Sequence, residues 1–430
     1  MIKKIKKQVH STLFKSEFNS NVFTLMMGST LAQAIPIAIT PILTRLYTPE
    51  DFGVLALFIA ITSILGSIAN GLYEQAIILP KKDEDAINIA ALSLLIALCF
   101  SIFLLILIIF LNAQITLLIG NQEISFWLYF MPFVVFITGL FNVLNYLSTR
   151  KKLYKDLSKT MIYRSTMGAA AQISIGLLKA GVTGLITGQI LSHLVANIRL
   201  MLNVRREYVN IKPNLQKIKL VSKRYKDFFL YSIVGTLSNT SAQYIVNILI
   251  SSMYNFTSLG FFYLAQRVLV IPSMVVGSSF SQVFYQAATN EKQKKGSANQ
   301  IYKKTLLKLS LLSVFFFTPA YFFTEDVFTF FLGDKWRASG KIAVLLLPLI
   351  ALQFIASSLS AVFNVFERQR ILLIWQILLL IASIIIILVS SWLDLAFLDF
   401  IMLYSWLMAI MYVLYIFMSY KIAQGNSYAR

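Results

Sequence analysis

The chain has 430 residues, of which 58% are hydrophobic, 14% aromatic and 13% charged, with a mean hydropathy of +0.73. A soluble domain carries roughly 25% charged residues, so this composition excludes a soluble globular enzyme, a disordered chain and a disulfide scaffold. The net charge is +20, from 38 Lys and Arg against 18 Asp and Glu, but the basic residues sit in short gaps between apolar runs, which is the pattern of membrane topology and not of a nucleic-acid surface.

In chain order, residues 1–20 read as a basic amphipathic tail. Ile2, Ile5, Val9 and Leu13 recur at helical spacing beside Lys3, Lys4, Lys6 and Lys7, a pattern suited to an anionic inner leaflet. No apolar core follows before Val22, so the stretch does not read as a cleavable signal. Twelve apolar segments follow, at residues 21–46, 52–79, 86–111, 124–147, 160–178, 183–203, 227–252, 258–287, 305–323, 341–364, 371–391 and 397–419. A spanning helix needs about 20 apolar residues, and these runs are too long for strands. The fold class is therefore an all-α integral membrane protein with about twelve spanning helices.

With the N-terminus inside, twenty-nine Lys and Arg fall in inner gaps and tails and five in outer ones. That asymmetry places both termini in the cytoplasm. The longest outer gap runs from Thr324 to Gly340, and the longest polar stretch, residues 205–226, is a basic inner link. The single cysteine, Cys99, lies in an apolar run and excludes disulfides and cysteine-ligated metals.

The two halves look like a repeat. A shift of 207 positions places Tyr47-Thr-Pro-Glu-Asp-Phe-Gly53 on Tyr254-Asn-Phe-Thr-Ser-Leu-Gly260, Gly28 on Gly235 and Gln75 on Gln282. The expected organisation is a tail (1–20), a six-helix bundle (21–204), the link (205–226), a second six-helix bundle (227–420) and a C-terminal tail (421–430). An even number of helices per half relates the bundles by a pseudo-two-fold axis along the membrane normal, with a central site near the midplane. Pro36 and Pro41 are expected to kink the first segment. Gly66 and Pro272 mark weak points in the second and eighth.

No Walker glycine loop, GxGxxG or HExxH pattern is present, so no cofactor, metal or catalytic residue is expected. Function is carried by charges within apolar segments, which are costly there and face a cavity or a partner. Arg267, about 10 Å past Gly260 along its helix, can hold a phosphate through two parallel hydrogen bonds. Arg45 and Lys179 end the first and fifth segments on the outer side, and Arg164 and Arg199 lie within two turns of the inner surface. These five are candidate anion contacts. Gln33, Asn70, Gln243 and Asn247 are the amides assigned to a hydrated, sugar-compatible interior; amides also join membrane helices. Glu74 and His193 are the candidates for ion coupling, with Glu74 also placed to pair with Arg164 or Arg199. Gly184 and Gly188 form a GxxxG explained by close helix packing.

Several of these stretches resemble one family. Arg45-Leu-Tyr-Thr-Pro-Glu-Asp-Phe-Gly53, Tyr73-Glu-Gln-Ala-Ile-Ile-Leu-Pro80 with the acidic run to Ala86, Gly260-Phe-Phe-Tyr-Leu-Ala-Gln-Arg267 through Pro272, and Phe331-Leu-Gly-Asp-Lys-Trp336 resemble Wzx-type polysaccharide flippases. These form the polysaccharide transporter family within the superfamily of MATE multidrug extruders and the peptidoglycan lipid flippase. The resemblance covers about residues 20–420. It implies two six-helix bundles in the bacterial cytoplasmic (inner) membrane around a cavity in which Arg267 contacts the cargo. It also implies flipping of undecaprenyl-diphosphate-linked oligosaccharides for O-antigen, capsule or exopolysaccharide synthesis. Membrane lipids, a polysaccharide polymerase and a chain-length regulator are the implied partners, and no nucleic acid. The alternative is a MATE-like organic-cation antiporter, which should carry carboxylates deep in a bundle where this chain carries cations.

Overall fold

The structure, a computed structural model, describes residues 17–120, 122–179, 181–209, 211–226, 229 and 232–425. The reading of residues 1–16 as an amphipathic tail, and the end of the C-terminal tail from 426, lie outside the described residues. Among these residues the chain is all-α: α1 (Glu17–Ala38), α2 (Thr40–Leu46), α3 (Pro49–Ile68), α4 (Asp83–Ile119), α5 (Glu123–Leu128), α6 (Met131–Arg150), α7 (Tyr154–Leu177), α8 (Val182–Glu207), α9 (Leu215–Arg224), α10 (Ile233–Met253), α11 (Phe256–Lys295), α12 (Asn299–Leu332), α13 (Arg337–Leu359), α14 (Ala361–Val365), α15 (Gln369–Trp392) and α16 (Phe397–Ala423). Short 3₁₀ turns cover Tyr73–Ile78 and Asp334–Trp336.

Ten helical stretches among the described residues are long and apolar enough to cross a membrane. The chain is a multi-pass membrane protein. Helices also occupy the other two expected segments, α7 and α10. They are more polar: α7 carries Lys155, Asp156, Lys159 and Arg164, and α10 carries Asn239, Gln243 and Asn247.

One expected kink and two differences from the sequence reading have local causes. The first segment breaks between Ala38 and Thr40, beside Pro41, where the Thr40 hydroxyl donates to the Pro36 carbonyl at 2.6 Å. The second segment does not run to Leu79. It ends at Ile68, because Gly71 and Leu72 take φ of 61° and 60°, and a left-handed pair cannot continue a helix. Glu74 therefore lies in a 3₁₀ turn. The outer gap from Thr324 is mostly helix: α12 continues to Leu332, and only Gly333, with φ of 99°, and one 3₁₀ turn separate it from α13.

The chain divides into two compact units, one of residues 1–46 and 61–237 and the other of residues 47–60 and 238–430. In the first, α7 packs on α1 and α8 through small residues. A Cβ on Gly28 would fall 1.8 Å from the Ser158 hydroxyl, and one on Gly188 would fall 2.4 Å from the Gln172 side chain. The hydroxyls of Ser158 and Ser165 donate to the Thr24 and Ala32 carbonyls of α1 at 3.1 and 2.7 Å. The basic link is part of this unit. Asn214 caps α9 by accepting from Gln216 and Lys217 amides, its own amide donates to Asn88, and Lys217 pairs with Glu84 on α4.

In the second unit the start of α3 crosses the start of α11 backbone to backbone. A Cβ on Gly53 would meet the Phe256 carbonyl at 1.9 Å, and one on Gly260 the Pro49 carbonyl at 1.8 Å. The two helix starts are built alike. Thr48 and Asp51 cap each other reciprocally, and the Asn255 side chain accepts from the Ser258 amide at 2.7 Å, the N-terminal caps that fix where a helix begins. Both pairs obey the 207-residue shift. Against this crossing sits Trp336, fully buried, with Phe52 and Phe261 edge-on at 5.2 and 5.8 Å between ring centroids. Three of the motifs that carry the family resemblance thus meet in one aromatic cluster.

Later in the chain the repeat continues at a shift of 215. Lys152 and Glu367 both have φ of 57°, and Lys179 and Asp394 have φ of 54° and 48°. The turns at Leu153 and Arg368 close with the same bond, to the Ser148 and Phe363 carbonyls at 2.9 and 2.8 Å.

Truncating a buried Trp costs about 3–5 kcal/mol, and overpacking costs about 1–3 kcal/mol. Trp336→Ala and Gly260→Ala should each lower the thermal unfolding midpoint of the detergent-purified protein. Phe330→Ala, at an exposed ring, should leave it within a degree or two.

Candidate functional site

The first unit holds a polar cluster in the middle of its helices. Arg164 lies ten residues into α7, about 15 Å along the axis. α7 begins at Tyr154, six residues before the apolar segment read from sequence. His193 lies eleven residues into α8, about 16 Å along. α7 and α8 pack through Gly168 and Gly188, which brings these two residues together. The Arg164 guanidinium donates to His193 Nε2 at 2.7 Å and lies over the Phe141 ring at 5.2 Å. Gln189 Nε2 approaches the same ring nitrogen at 3.4 Å.

Arginine has only donors. His193 Nε2 must therefore offer its lone pair, and the ring proton resides on Nδ1. His193 is buried, and Nδ1 has no hydrogen-bond partner among the described residues. Protonating Nε2 would break the bond and set two cations side by side. In this arrangement neutral His193 is the acceptor that holds Arg164.

Arg199 stacks on Tyr163 at 4.2 Å, and its Nε is buried without a hydrogen-bond partner among the described residues. Both arginines rest on aromatic faces, which hold a guanidinium without consuming its donors. The aromatic partners Phe141 and Tyr163 were not singled out from sequence. Only the pairing of α6, α7 and α8 relates them to the arginines. Glu74 forms no ion pair with Arg164 or Arg199 among the described residues. It is buried, and its Oε2 has no hydrogen-bond partner there.

The other candidates of this unit serve local structure or lie at its margin. Asn70 is buried, donates to the Ser93 carbonyl at 3.2 Å and lies against Gly139. Arg45 is exposed and donates to the Pro41 carbonyl of its own helix at 2.7 Å. Lys179 is exposed in the turn after α7, and Gln33 is half-buried on α1.

The second unit carries Arg267, half-buried on α11, eleven residues from its start at Phe256 and about 16 Å along. Asn247 on α10 is buried with its Oδ1 unpartnered among the described residues, while Gln243 on the same helix is exposed. Each unit therefore presents a basic side chain at mid-helix depth. The one carboxylate deep in an apolar segment by sequence, Glu74, lies beyond the end of α3.

The family model described as "Polysaccharide biosynthesis protein" matches residues 42–341. No curated protein matches the chain. Among solved structures, an inward-facing multidrug-resistance MATE transporter of the MOP superfamily is similar at 14% identity and a TM-score of 0.66, over 93% of this chain and 96% of the other. The lipid II flippase MurJ, in an inward closed conformation, is similar at 15% identity and a TM-score of 0.69, over 93% of this chain and 87% of its own. A MOP-superfamily transporter from Pyrococcus furiosus, described as having a binding pocket of reverse polarity, is similar at 16% identity and a TM-score of 0.58, over 93% and 95% of the two chains. At these identities the likeness establishes the fold alone.

Removing the buried acceptor of the half-buried Arg164 costs about 1–3 kcal/mol. His193→Leu should therefore destabilise the protein by that amount in thermal unfolding, and His193→Gln, which retains an acceptor, by less than half as much.

Proposed function

The chain belongs to the polysaccharide biosynthesis protein family, and we propose that it is the flippase of that process, moving undecaprenyl-diphosphate-linked oligosaccharides from the inner to the outer leaflet by alternating access of its two units. The observation that carries this reading is the sign of the mid-helix charges. Arg164, Arg199 and Arg267 are cationic, and the carboxylates of α1 to α3 are confined to Glu17 at the start of α1 and Glu50 and Asp51 in the first turn of α3. A guanidinium set on an aromatic face keeps several N–H donors for a diphosphate. Amides such as Asn247 and Gln243 suit sugar hydroxyls. The polyprenyl tail remains in lipid, and no covalent step is needed.

The direction has an electrical rationale. A diphosphate with two negative charges gains about 4–5 kcal/mol per 100 mV on leaving a negative interior. The proposal places the protein in the bacterial inner membrane with both termini in the cytoplasm, as the charge asymmetry of the gaps supports. The product would pass to a polymerase and a chain-length regulator. The polysaccharide is O-antigen, capsule or exopolysaccharide.

One observation favours the second reading, a MATE-like organic-cation antiporter: the buried carboxylate of Glu74, which forms no ion pair among the described residues. Proteoliposomes separate the two. Leaflet-resolved flux of a lipid-diphosphate oligosaccharide under an imposed potential should respond to voltage. Arg267→Ala should abolish it, and Arg164→Ala should lower it at least tenfold, with protein levels maintained. Wild-type flux in Arg267→Ala removes the proposed cargo contact. Organic-cation flux that is lost in Glu74→Gln, without lipid flipping, establishes the second reading.

A further inference from the structure

The Lys and Arg of the link entered the sequence reading only as a topology signal. Residues 205–226 hold eight of them against one acid, Glu207. α9 is the helix of this link, and its two faces differ. Val221 is buried in the apolar core of the first unit, with Ile218 and Tyr225 packed against that core. The Tyr73 hydroxyl donates to the Ser222 carbonyl at 3.1 Å. The opposite face is exposed. Lys219 and Lys223 lie along its middle, and Leu215 and Leu220, 80% and 67% exposed, flank them.

Where α9 sits decides what this face meets. It begins beside Asn88, which accepts from the Asn214 amide at 2.7 Å, and Lys217 then pairs with Glu84. At 3.6 residues per turn, Glu84, Asn88, Leu95, Cys99, Ile102 and Ile106 share one face of α4, within about 60°. The last four are exposed on a helix long and apolar enough to cross a membrane, so this is the face that α4 turns to lipid. α9 covers the polar start of that stripe. Leu95 lies seven residues beyond Asn88, about 10 Å along the axis. α9 is therefore fixed at the depth where the apolar region gives way to headgroups, with Leu215 in the turn nearest the stripe.

We propose that α9 is an interfacial helix whose exposed face binds the anionic phospholipid headgroups of the leaflet on that side. Leucines beside lysines on one helix face suit that boundary. The apolar side chains enter the acyl region, while the ammonium groups reach phosphates on flexible stems. The N-terminal tail is a poor occupant of the same face, since residues 1–16 hold five Lys and no acid. The bonds at Asn88, Glu84 and Tyr73 are made within the chain, so the face is presented preformed. The site is independent of the proposed cargo and of whether Arg267 contacts it.

Two measurements on the full chain test it. In native mass spectrometry of the detergent-purified protein, phosphatidylglycerol should bind in preference to phosphatidylcholine. Lys219→Gln combined with Lys223→Gln should weaken phosphatidylglycerol about tenfold. Phosphatidylcholine binding and the unfolding temperature should not change, because both side chains are exposed. Lys335→Gln, at an exposed lysine of the turn before α13, should give no loss. The second measurement places a nitroxide at Leu215→Cys in a Cys99→Ser chain, in vesicles containing phosphatidylglycerol. Its ratio of contact with dissolved oxygen to contact with a neutral nickel chelate should rise at least threefold over that of the free label in water. Unchanged phosphatidylglycerol affinity in the double variant, or an equal loss in Lys335→Gln, overturns the proposal. So does a nitroxide as open to the chelate as the free label, which puts the face in water, or one closed to both reagents, which puts protein over it.

Discussion

Hydrocarbon offers no hydrogen bonds, so every polar group the chain carries into it has to be answered by the chain. Much of the packing follows. Ser158 and Ser165 reach across from α7 to carbonyls of α1, and Asn70 holds the Ser93 carbonyl on α4. Tyr302, fully buried, bonds to Ser419 and to the Ile416 carbonyl. The serine and tyrosine bonds join two helices, and the Asn70 bond joins the turn after α3 to α4, so satisfying the group also fixes how closely these elements pack. Small residues complete the arrangement: where Gly28, Gly168 and Gly188 lie, backbones approach closely enough for such short side chains to reach. The arginines obey the same demand with a different residue. Arg164 is answered by a neutral histidine and an aromatic face, which satisfies the group while leaving its charge intact. A carboxylate partner would have cancelled that charge.

The repeat shows which features are architectural. The helix caps at Thr48 and Asn255, the crossing glycines Gly53 and Gly260, and the left-handed residues Lys152 and Glu367 occur in both halves. They fix where helices start, cross and turn. What differs between the halves lies in side chains that the architecture leaves unspecified. The shift grows from 207 to 215 between the first and last of these pairs, so eight additional residues enter the second half between Gly260 and Phe363.

The helical segments were legible because their apolar runs are long and their gaps basic, and the repeat was legible at the one turn where cap and glycine spacing are kept. Their ends were not. Hydropathy falls where a helix leaves the membrane, but the helix itself continues until a residue such as Gly296, with φ of 72°, stops it. Hence α11 runs to Lys295 and α7 begins at Tyr154. The candidate site was half legible. A charge in an apolar run identifies itself, whereas its partner is a histidine, a tyrosine or a phenylalanine on another helix, and nothing in local sequence joins Tyr163 to Arg199. The pairing of Glu74 with an arginine was a reasonable inference from charge alone. The left-handed turn at Gly71 and Leu72 directs the chain elsewhere, and the arginines are already engaged.

The pairing of Asp83 with Arg150 and Lys151 bears on how charge is used in this protein. The chain carries a net charge of +20, and some of its basic side chains are answered within the fold, by Asp83 on Arg150 and Lys151 and by Glu84 on Lys217. Charge that the chain answers itself fixes a loop against a helix. Charge that it holds with carbonyls and aromatic faces stays positive, as with Lys292 over Phe366 and Arg199 over Tyr163. Holding a cation by its stem, ring face or one donor costs less than burying it bare and keeps its field directed at whatever enters beside it. The positions held this way, and not the total count of Lys and Arg, are the ones where an anionic partner gains most.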